Sequence, residues 1–452
     1  MDRRLIILCF LTALAMVILV FPDGIMALVL VAALSSLAIF IFRRFTDERD
    51  LVTNIFLLAL VVRLVFGIFV QIFNLQAFFG GDAITFDGFG NLITQYWLGL
   101  VSGDDMLVQR AFSTANPGWG INYLVGGLYY LFGRNTFLAQ SFCAVFGAAT
   151  APMVYFCAKN IFHNKAVAKV SAFSVALFPA FIIWSGQLLK DGLIVFLLVL
   201  AMTMVLQLQK KLSYPAVVIL VFSMFGILTL RFYIFYMVAI AVVGSFIIGT
   251  SNSPQSIARR TVVLVLMGIG LTYFGVIRNA SSDFERYGNL DRLQSSRSDL
   301  ARSASSGFGE DIDVSTTAGA ISAVPIGFAY LMLAPFPWEM SSLRQSVTLP
   351  DVLLWWAMIP VMMFGLWYTI KNRLRTAFPI VLFSVMLTLA YSIFQGNVGT
   401  AYRQRTQIQV FLFMFVAVGW TLIKERRENR RIIRIDKQRR LDRQLHAMRL
   451  RQ

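Results

Sequence analysis

Long apolar runs are the feature that most restricts how this chain can fold. They recur along most of its length, each about 17 to 25 residues long and nearly free of charge. About 20 apolar residues let an α-helix cross the roughly 30 Å hydrocarbon core of a bilayer, whereas a membrane β-barrel shows segments of about ten residues with alternating polarity. Hydrophobic residues make up 58% of the 452 positions and charged residues only 14%. The sequence therefore predicts an all-α, polytopic membrane protein.

Twelve of these runs predict transmembrane helices. The first resembles a signal peptide, but a second run follows almost at once, so we interpret it as a retained span. If the N-terminus lies inside, the Lys and Arg residues of every short basic loop fall on the cytoplasmic side, as the positive-inside rule requires. This predicts a multi-pass protein of the cytoplasmic (inner) membrane with both termini in the cytoplasm. The approximate spans are 4–21, 25–42, 51–73, 138–158, 166–184, 191–208, 213–230, 232–249, 260–277, 351–370, 377–395 and 406–423.

Two further apolar stretches are predicted not to cross the membrane. Residues 118–133 would form a helix of only about 24 Å, shorter than the hydrocarbon core. Residues 321–338 are interrupted by three prolines, which disrupt helix interiors. We expect both stretches to lie on or dip into the outer surface. If both crossed instead, there would be fourteen spans, and the basic loop 159–169 would lie outside.

This topology divides the chain into membrane segments and two large outer loops, where chemistry is expected. The basic tail carries 12 Lys and Arg against 4 Asp and Glu, a net +8 of the chain's formal +17. Such a tail beside a last span suits an amphipathic helix on anionic membrane lipids, and no nucleic-acid partner is expected. The predicted units are an N-terminal hairpin 1–50, a core 51–277 with the outer loop 74–137, a second outer loop 278–350, C-terminal helices 351–423 and the tail 424–452.

Three carboxylates on the predicted outer side are candidates for catalysis. Asp82 and Asp87 lie in the segment GGDAITFDGFGN, just after a hydrophobic span, and Asp191 lies in SGQLLKDG where the chain re-enters the membrane. A carboxylate at this position can accept a proton from an acceptor hydroxyl or amine, or hold a metal ion. The alternative is that Asp82 and Asp191 cap the helices that begin there.

Four cations on the same side are candidates for binding a phosphate. They are Lys190, Arg231, Arg403 and Arg405. Arginine suits phosphate because its planar fork makes two hydrogen bonds at once and stays charged. A lone arginine beside a span can instead be an anchor to lipid headgroups. Arg63, inside the third predicted span, is expected to pair within the helix bundle.

Several kinds of chemistry are disfavoured by what the sequence lacks. The only two histidines, His163 and His446, are both predicted to lie inside, so a His-dependent nucleophile on the outer face is not expected. The three cysteines lie in or at the end of apolar runs and signal neither a disulfide framework nor a zinc site. No ligand set for a metal or cofactor is signalled, although a divalent ion bound by carboxylates stays open. The sequence has no GxxxxGK[ST] phosphate loop.

Five motifs occur in a fixed order along the chain. The segment with Asp82 and Asp87 is followed by Asn-Pro-Gly at 116–118 leading to LYYLFGRN, by CAKNIFHNKA between two spans, by LLKDGLIVF with Asp191, and late by GTAYRQRTQIQVFLF. This order resembles the GT-C superfamily of membrane glycosyltransferases, particularly bacterial relatives of protein O-mannosyltransferases and aminoarabinose transferases.

The resemblance implies an inverting transfer of a sugar from a polyprenyl-phosphate or diphosphate donor to a lipid, glycan or protein acceptor on the outer face of the membrane. It implies that Asp82 is the general base, with Asp87 as its alternate, and that Asp191 is a positioning or metal-linked carboxylate. It implies phosphate contacts for Lys190, Arg403 and Arg405.

Two other functions stay open from the sequence. A polysaccharide flippase or secondary transporter would need a polar central cavity and often has internal repeats, but neither repeated halves nor many charges inside the spans are evident. An O-antigen or exopolysaccharide polymerase or ligase would use the second outer loop instead of Asp82. Its candidate residues are Arg278, Arg286, Arg292, Arg297 and Arg302.

Overall fold

The computed structural model is helical through almost all of the chain that it describes. The only other regular structure in the described ranges is a short 3₁₀ turn, Pro337–Glu339, and one antiparallel bridge between Gly307 and Asn397. The all-α fold class is therefore confirmed. The described backbone comprises residues 2–79, 81–114, 118–248, 253–273, 290–302, 306–309, 311–340 and 342–449, with side chains as far as residue 438.

Eighteen α-helices lie within these ranges. In chain order they are α1 Arg3–Leu19, α2 Asp23–Arg44, α3 Arg49–Ile72, α4 Asp82–Trp97, α5 Met106–Phe112, α6 Trp119–Phe132, α7 Thr136–Phe162, α8 Lys165–Leu177, α9 Pro179–Ser185, α10 Lys190–Lys210, α11 Tyr214–Leu230, α12 Phe232–Ile248, α13 Pro254–Tyr273, α14 Leu290–Arg302, α15 Thr317–Leu333, α16 Leu343–Ser346, α17 Leu349–Phe394 and α18 Val398–Arg449.

Seven of these helices are long and apolar enough to cross a membrane, or eight if the bent pair α8 and α9 forms one span. As far as the residues are described, every predicted span coincides with helical structure, including α11 and α12, which at 17 residues measure about 25 Å. The polytopic character is confirmed, while the number of twelve spans stays a prediction. The large apolar side chains that the outer helices expose, such as Phe10 and Ile247, suit contact with lipid.

Helix α7 is the centre of the bundle. It packs against α2, α3, α8 and α10, and most of its side chains are buried. Its residues Ala144, Gly147, Ala148 and Ala151 recur at helical spacing and form a stripe of small side chains. A Cβ atom at Gly147 would come within 2.4 Å of the Ser185 Cβ. The small residues therefore let neighbouring helices approach closely, as in other membrane bundles.

The predicted span 166–184 is broken into α8 and α9, which are bent by 55°. Pro179 opens α9 and has no backbone N–H to continue the helix. The break frees carbonyl groups at the end of α8, and the carbonyls of Val175 and Ala176 accept hydrogen bonds from the fully buried Arg63. Arg63 thus pairs within the bundle, as expected.

The C-terminal helices are longer than the predicted spans. Helix α17 has 46 residues and a non-helical backbone at Arg373, so its two legs correspond to the spans 351–370 and 377–395. Helix α18 has 52 residues, a length of about 78 Å. The last span therefore continues into the basic tail without a break, and contact of the tail with lipid stays a prediction.

The apolar stretch 321–338 differs in one respect from its prediction. We expected its prolines to interrupt it throughout, but α15 runs through Pro325 and ends at Leu333, before Pro335 and Pro337. The carbonyl groups at this end accept hydrogen bonds from three side chains. The Trp355 and Trp356 indoles donate to the carbonyls of Met332 and Leu333, and Arg405 donates to those of Met332 and Ala334. These hydrogen bonds from side chains of α17 and α18 therefore stabilise the last turn of α15.

Candidate active site

One cavity of about 530 Å³ lies on the predicted outer side, and five segments supply its charged lining. These are the first turn of α4, the first turn of α10, the turn between α11 and α12, helix α16 and the first turns of α18. The charged residues that line it are Asp82, Lys190, Arg231, Arg344 and Arg403. Four cations thus face the cavity beside one carboxylate, which makes it suited to an anionic ligand.

Arg403 connects two of the predicted carboxylates. Its Nε donates to the Asp191 Oδ2 at 2.5 Å, and its Nη1 donates to the Asp82 Oδ2. The guanidinium carbon lies 5.5 Å from the centre of the Trp184 ring, a distance at which a cation is attracted to an aromatic face. The structure therefore brings together three residues that are far apart in sequence and that were predicted to share a site.

Asp191 is the buried anchor of this cluster. Its side chain is 1% exposed, and its two oxygens pair with different arginines, Oδ1 with the Arg231 Nη2 at 3.3 Å and Oδ2 with Arg403. The position in the first turn of α10 adds the favourable end of the helix dipole. Asp191 therefore positions both guanidinium groups. Removing its charge would leave the two arginines without their buried partner.

The two carboxylates differ in exposure. Asp82 is 46% exposed, against 1% for Asp191. Asp82 occupies the first position of α4, and Gly81, with φ of +71°, takes the cap position in a backbone conformation that favours glycine. The cap residues of the two helices are Gly81 and Leu189, and both carboxylates lie in the first turn instead.

Lys190 and Arg344 complete the positive side of the cavity. Gly118 lies beside the Lys190 amine and has φ of +85°, a backbone conformation that favours glycine. Arg344 donates to the Phe79 carbonyl oxygen at 2.7 Å. Burial and the neighbouring Arg403 lower the pKa of Arg344 from its usual range. An anion bound beside Arg344 and Arg403 would offset the repulsion between these two cations.

Two predicted site residues lie elsewhere. Asp87 accepts from the Tyr129 hydroxyl at 2.7 Å and from the Arg134 Nη2 at 2.5 Å, an ion pair that fastens α4 to α6 and the start of α7. Burial and the bond to Asp87 raise the pKa of Tyr129 well above its usual range. Arg405 is fully buried and bonds the carbonyls at the end of α15. Neither residue lines the cavity.

Arg344 and Trp184 line the cavity but were not among the predicted site residues. Arg344 lies in the second outer loop, and a signal for it was available, because an arginine on the outer side runs against the positive-inside trend. Trp184 lies inside an apolar run, where a tryptophan has no distinguishing pattern. The motif residues Asn116 and Pro117 and the arginines Arg278 and Arg286 lie outside the described residues.

No preformed metal site is evident in the described part of the chain. It contains no group of three or more His, Cys, Asp or Glu side chains that could hold an ion. One oxygen of Asp82 and one of Asp191 accept hydrogen bonds from Arg403. The geometry supports acid–base chemistry and anion binding by protein groups.

The comparison with known families agrees with the resemblance inferred from the sequence. Residues 106–249 match the family described as dolichyl-phosphate-mannose-protein mannosyltransferase. The match confirms, over that stretch, the predicted class of membrane glycosyltransferase of the GT-C type. It includes Lys190, Asp191 and Arg231 and ends before the cavity residues contributed by α16 and α18.

Solved structures give only distant likenesses. The apo oligosaccharyltransferase of Archaeoglobus fulgidus is 12% identical, with a TM-score of 0.38, over 70% of this chain and 44% of that enzyme. The same enzyme in complex with zinc and sulfate is 14% identical, with a TM-score of 0.37, over 70% of this chain and 41% of that one. This chain therefore spans less than half the length of that enzyme, and scores below 0.5 do not establish a shared fold. No curated protein matches the chain by sequence.

Proposed function

We propose that this protein transfers a sugar from a polyprenyl-phosphate-linked donor to an acceptor on the outer face of the cytoplasmic membrane. The observation that carries the proposal is the joining of Asp82 and Asp191 through Arg403 at a cavity lined by further cations. The family match over residues 106–249 supports the same class of reaction. The lipid-linked donor is taken from the resemblance. The orientation toward the outer face is taken from the distribution of the basic loops.

Asp82 is the proposed general base. Its carboxylate is the more exposed of the two, so it is the one that can change hydrogen-bond partner. It would accept the proton of the acceptor hydroxyl as that oxygen attacks the anomeric carbon. Asp191, which is buried between Arg231 and Arg403, is a positioning residue in this proposal.

The cations are proposed to hold the phosphate of the donor. Arg231, Arg344, Arg403 and Lys190 approach one cavity from four different segments. A phosphate bound among them would compete with Asp82 for the guanidinium of Arg403. Donor binding would then both place the leaving group and release the base, and the developing charge on the phosphate would be stabilised by fixed cations.

Substitution of Asp82 by Asn tests this function most directly. Asp82→Asn keeps the shape and removes the base, so we expect glycosyl transfer to fall by at least about a hundredfold, with normal protein abundance. Asp104→Asn, an exposed residue of the same outer loop, is the matched control. Transfer at the wild-type rate in Asp82→Asn at normal abundance would contradict the assignment.

The polymerase or ligase alternative gains less support from the structure. Arg297, one of its candidate residues, is 1% exposed and donates to the carbonyl oxygens of Ile393 and Gly309. It holds the end of α17 instead of facing the cavity. Loss of the surface glycan in Arg292→Gln or Arg302→Gln, with full activity in Asp82→Asn, would favour that alternative. A transporter would instead accumulate lipid-linked substrate on the inner leaflet.

We further propose that both termini are cytoplasmic and that the tail contacts anionic lipid. The support is the parity of the basic loops and the charge of the tail, whose described residues 424–438 are exposed.

A further inference from the structure

A second cavity adjoins the candidate active site. It has a volume of about 280 Å³ and shares Ser306, Pro335, Gln345 and Val398 with the first cavity. The wall at Ser306 and Val398 is held by backbone hydrogen bonds, from the Phe308 N–H to the Gly396 carbonyl at 2.8 Å and from the Val398 N–H to the Ser306 carbonyl at 3.0 Å. The two cavities are therefore adjacent compartments with a fixed boundary.

The two compartments differ in charge. The first is lined by four cations and one carboxylate, whereas Glu339 is the charged residue among those lining the second. The Tyr330 hydroxyl donates to the Glu339 Oε1 at 3.3 Å. A phosphate would be attracted to the first compartment and repelled by the carboxylate of the second. The second compartment thus suits a neutral, hydroxyl-bearing ligand.

Aromatic rings form one corner of the second compartment. Tyr330 and Phe336 line it and meet edge to face, with ring centres 5.4 Å apart and planes at 81°. Phe308 stacks on Tyr330 at 4.1 Å, and Trp338 stacks on Phe336 at 5.2 Å. Neighbouring rings therefore fix both lining rings. The apolar ring faces can hold the C–H face of a sugar ring, while the Glu339 carboxylate and the Gln345 amide can form hydrogen bonds with its hydroxyl groups.

We propose that this second compartment binds the acceptor and that the acceptor is the end of a glycan chain. The inference rests on the proposed function. The glycan would extend one hydroxyl toward Asp82. That oxygen forms the new bond to the anomeric carbon, the bond from that carbon to the phosphate oxygen breaks, the proton passes to Asp82, and the phosphate leaves with the electron pair among the arginines.

Binding to the purified full-length protein in lipid nanodiscs tests the inference. The probes are neutral oligosaccharides of several sugars released by mild acid from the native host's envelope polysaccharide, a pool of Ser- and Thr-containing hexapeptides, and undecaprenyl phosphate. Phe336→Leu removes the ring face but keeps an apolar side chain, and Glu339→Gln removes the carboxylate. Phe328→Leu and Glu425→Gln are matched controls, because neither Phe328 nor Glu425 lines either cavity.

We expect the wild-type protein and both controls to bind the oligosaccharides, and Phe336→Leu and Glu339→Gln to bind them about tenfold more weakly. Undecaprenyl phosphate should bind equally to all of these proteins. Absence of oligosaccharide binding by the wild-type protein, or equal binding by Phe336→Leu and Glu339→Gln, would overturn the inference. Hexapeptide binding that depends on Phe336 would also overturn it, in favour of a protein acceptor.

Failure of the proposed function has a different signature. It would appear as undecaprenyl phosphate binding that is unaffected by Arg344→Gln and Arg403→Gln, whatever the oligosaccharides do. If undecaprenyl phosphate binding depends on both arginines but oligosaccharide binding does not depend on Phe336, only the inference of a glycan acceptor is rejected.

Discussion

At the scale of single residues, the buried arginines fall into two groups by the atoms that they bind. One group donates to backbone carbonyls where helices end, and its members are Arg63 at α8, Arg260 at α12, Arg297 at α17 and Arg405 at α15. Arg231 and Arg403 instead donate to carboxylates at the cavity. The first group satisfies groups that a helix end leaves unpaired. Only the second group can exchange its partner for a substrate.

Substitution of Arg403 by Lys tests this division. A lysine keeps the charge but cannot reach two carboxylates with one planar fork, so we expect transfer to fall by about a hundredfold while the protein still folds. Arg405→Lys should lower the melting temperature but keep the activity per folded molecule. The measurement is transfer rate beside thermal unfolding in detergent. Wild-type transfer in Arg403→Lys would show that the fork geometry is not used.

The two cavity carboxylates should differ sharply in their effect on stability. Asp191→Asn leaves Arg231 and Arg403 without their buried partner, and the expected loss of stability is about 3 to 5 kcal/mol. Asp82→Asn removes an exposed partner, and the expected loss is below about 1 kcal/mol. Thermal or denaturant unfolding of both variants in one detergent measures the difference. Equal destabilisation by the two substitutions would mean that Asp82 is a structural residue.

The sequence predicted that three of the cavity residues lie on one side of the membrane, but it did not predict which neighbouring residues point away from the cavity. The parity of the basic loops placed Asp82, Asp191 and Arg403 on one side of the membrane, and the structure brings them into contact. Arg405 lies only two residues from Arg403, but that is about 200° around a helix, so it points into different packing. Asp87 is likewise turned away from Asp82 within α4. To know which side chains of a helix point toward the site, one must know the residue at which the helix begins. Apolar composition alone does not define that residue.

At the scale of elements, the ion pair of Asp87 positions the helix that carries Asp82. It joins α4 to Tyr129 in α6 and to Arg134 just before α7. We expect Asp87→Asn to cost about 1.5 to 3 kcal/mol, the usual value for a hydrogen bond to a charged group, and to increase amide hydrogen exchange in α4. Exchange measured by mass spectrometry checks this. If Asp87→Asn abolished sugar transfer without changing amide hydrogen exchange in α4, Asp87 would again be a candidate for the general base.

Apolar composition could predict the long helices but not the break between α8 and α9. Helices exist wherever an apolar run is long, because the bilayer forces backbone groups to pair within the segment. The break between α8 and α9 was not predicted, although Pro179 is visible in the sequence. A proline starts, kinks or ends a helix according to what satisfies the freed carbonyls. Here Arg63, more than 100 residues earlier in the chain, supplies the donors.

At the scale of the whole molecule, the continuity of α18 changes what the basic tail can do. Most residues of the helix are buried as far as Thr421, although Trp420 is exposed, and residues 424–438 are all exposed. Because α18 passes from the predicted last span into the tail without a break, we expect the tail to lead away from the membrane beyond its first turns. Electrostatic attraction to anionic lipid fades within about 8 Å at physiological salt. At about 1.5 Å per residue, only about the first five residues of the tail lie within that distance.

This geometry predicts that position along the tail matters more than total charge. Replacing Lys424, Arg426 and Arg427 by Gln should weaken the preference for anionic lipid by up to about 3 kcal/mol, at roughly 1 kcal/mol per cation near the surface. Replacing Arg439, Arg440 and Arg443 by Gln removes the same charge and should change little. The measurement is thermal stabilisation in nanodiscs as the phosphatidylglycerol fraction rises, at low and high salt. Equal effects of the two triple substitutions would mean that the tail bends and lies flat on the membrane, since only then would both clusters reach the headgroups.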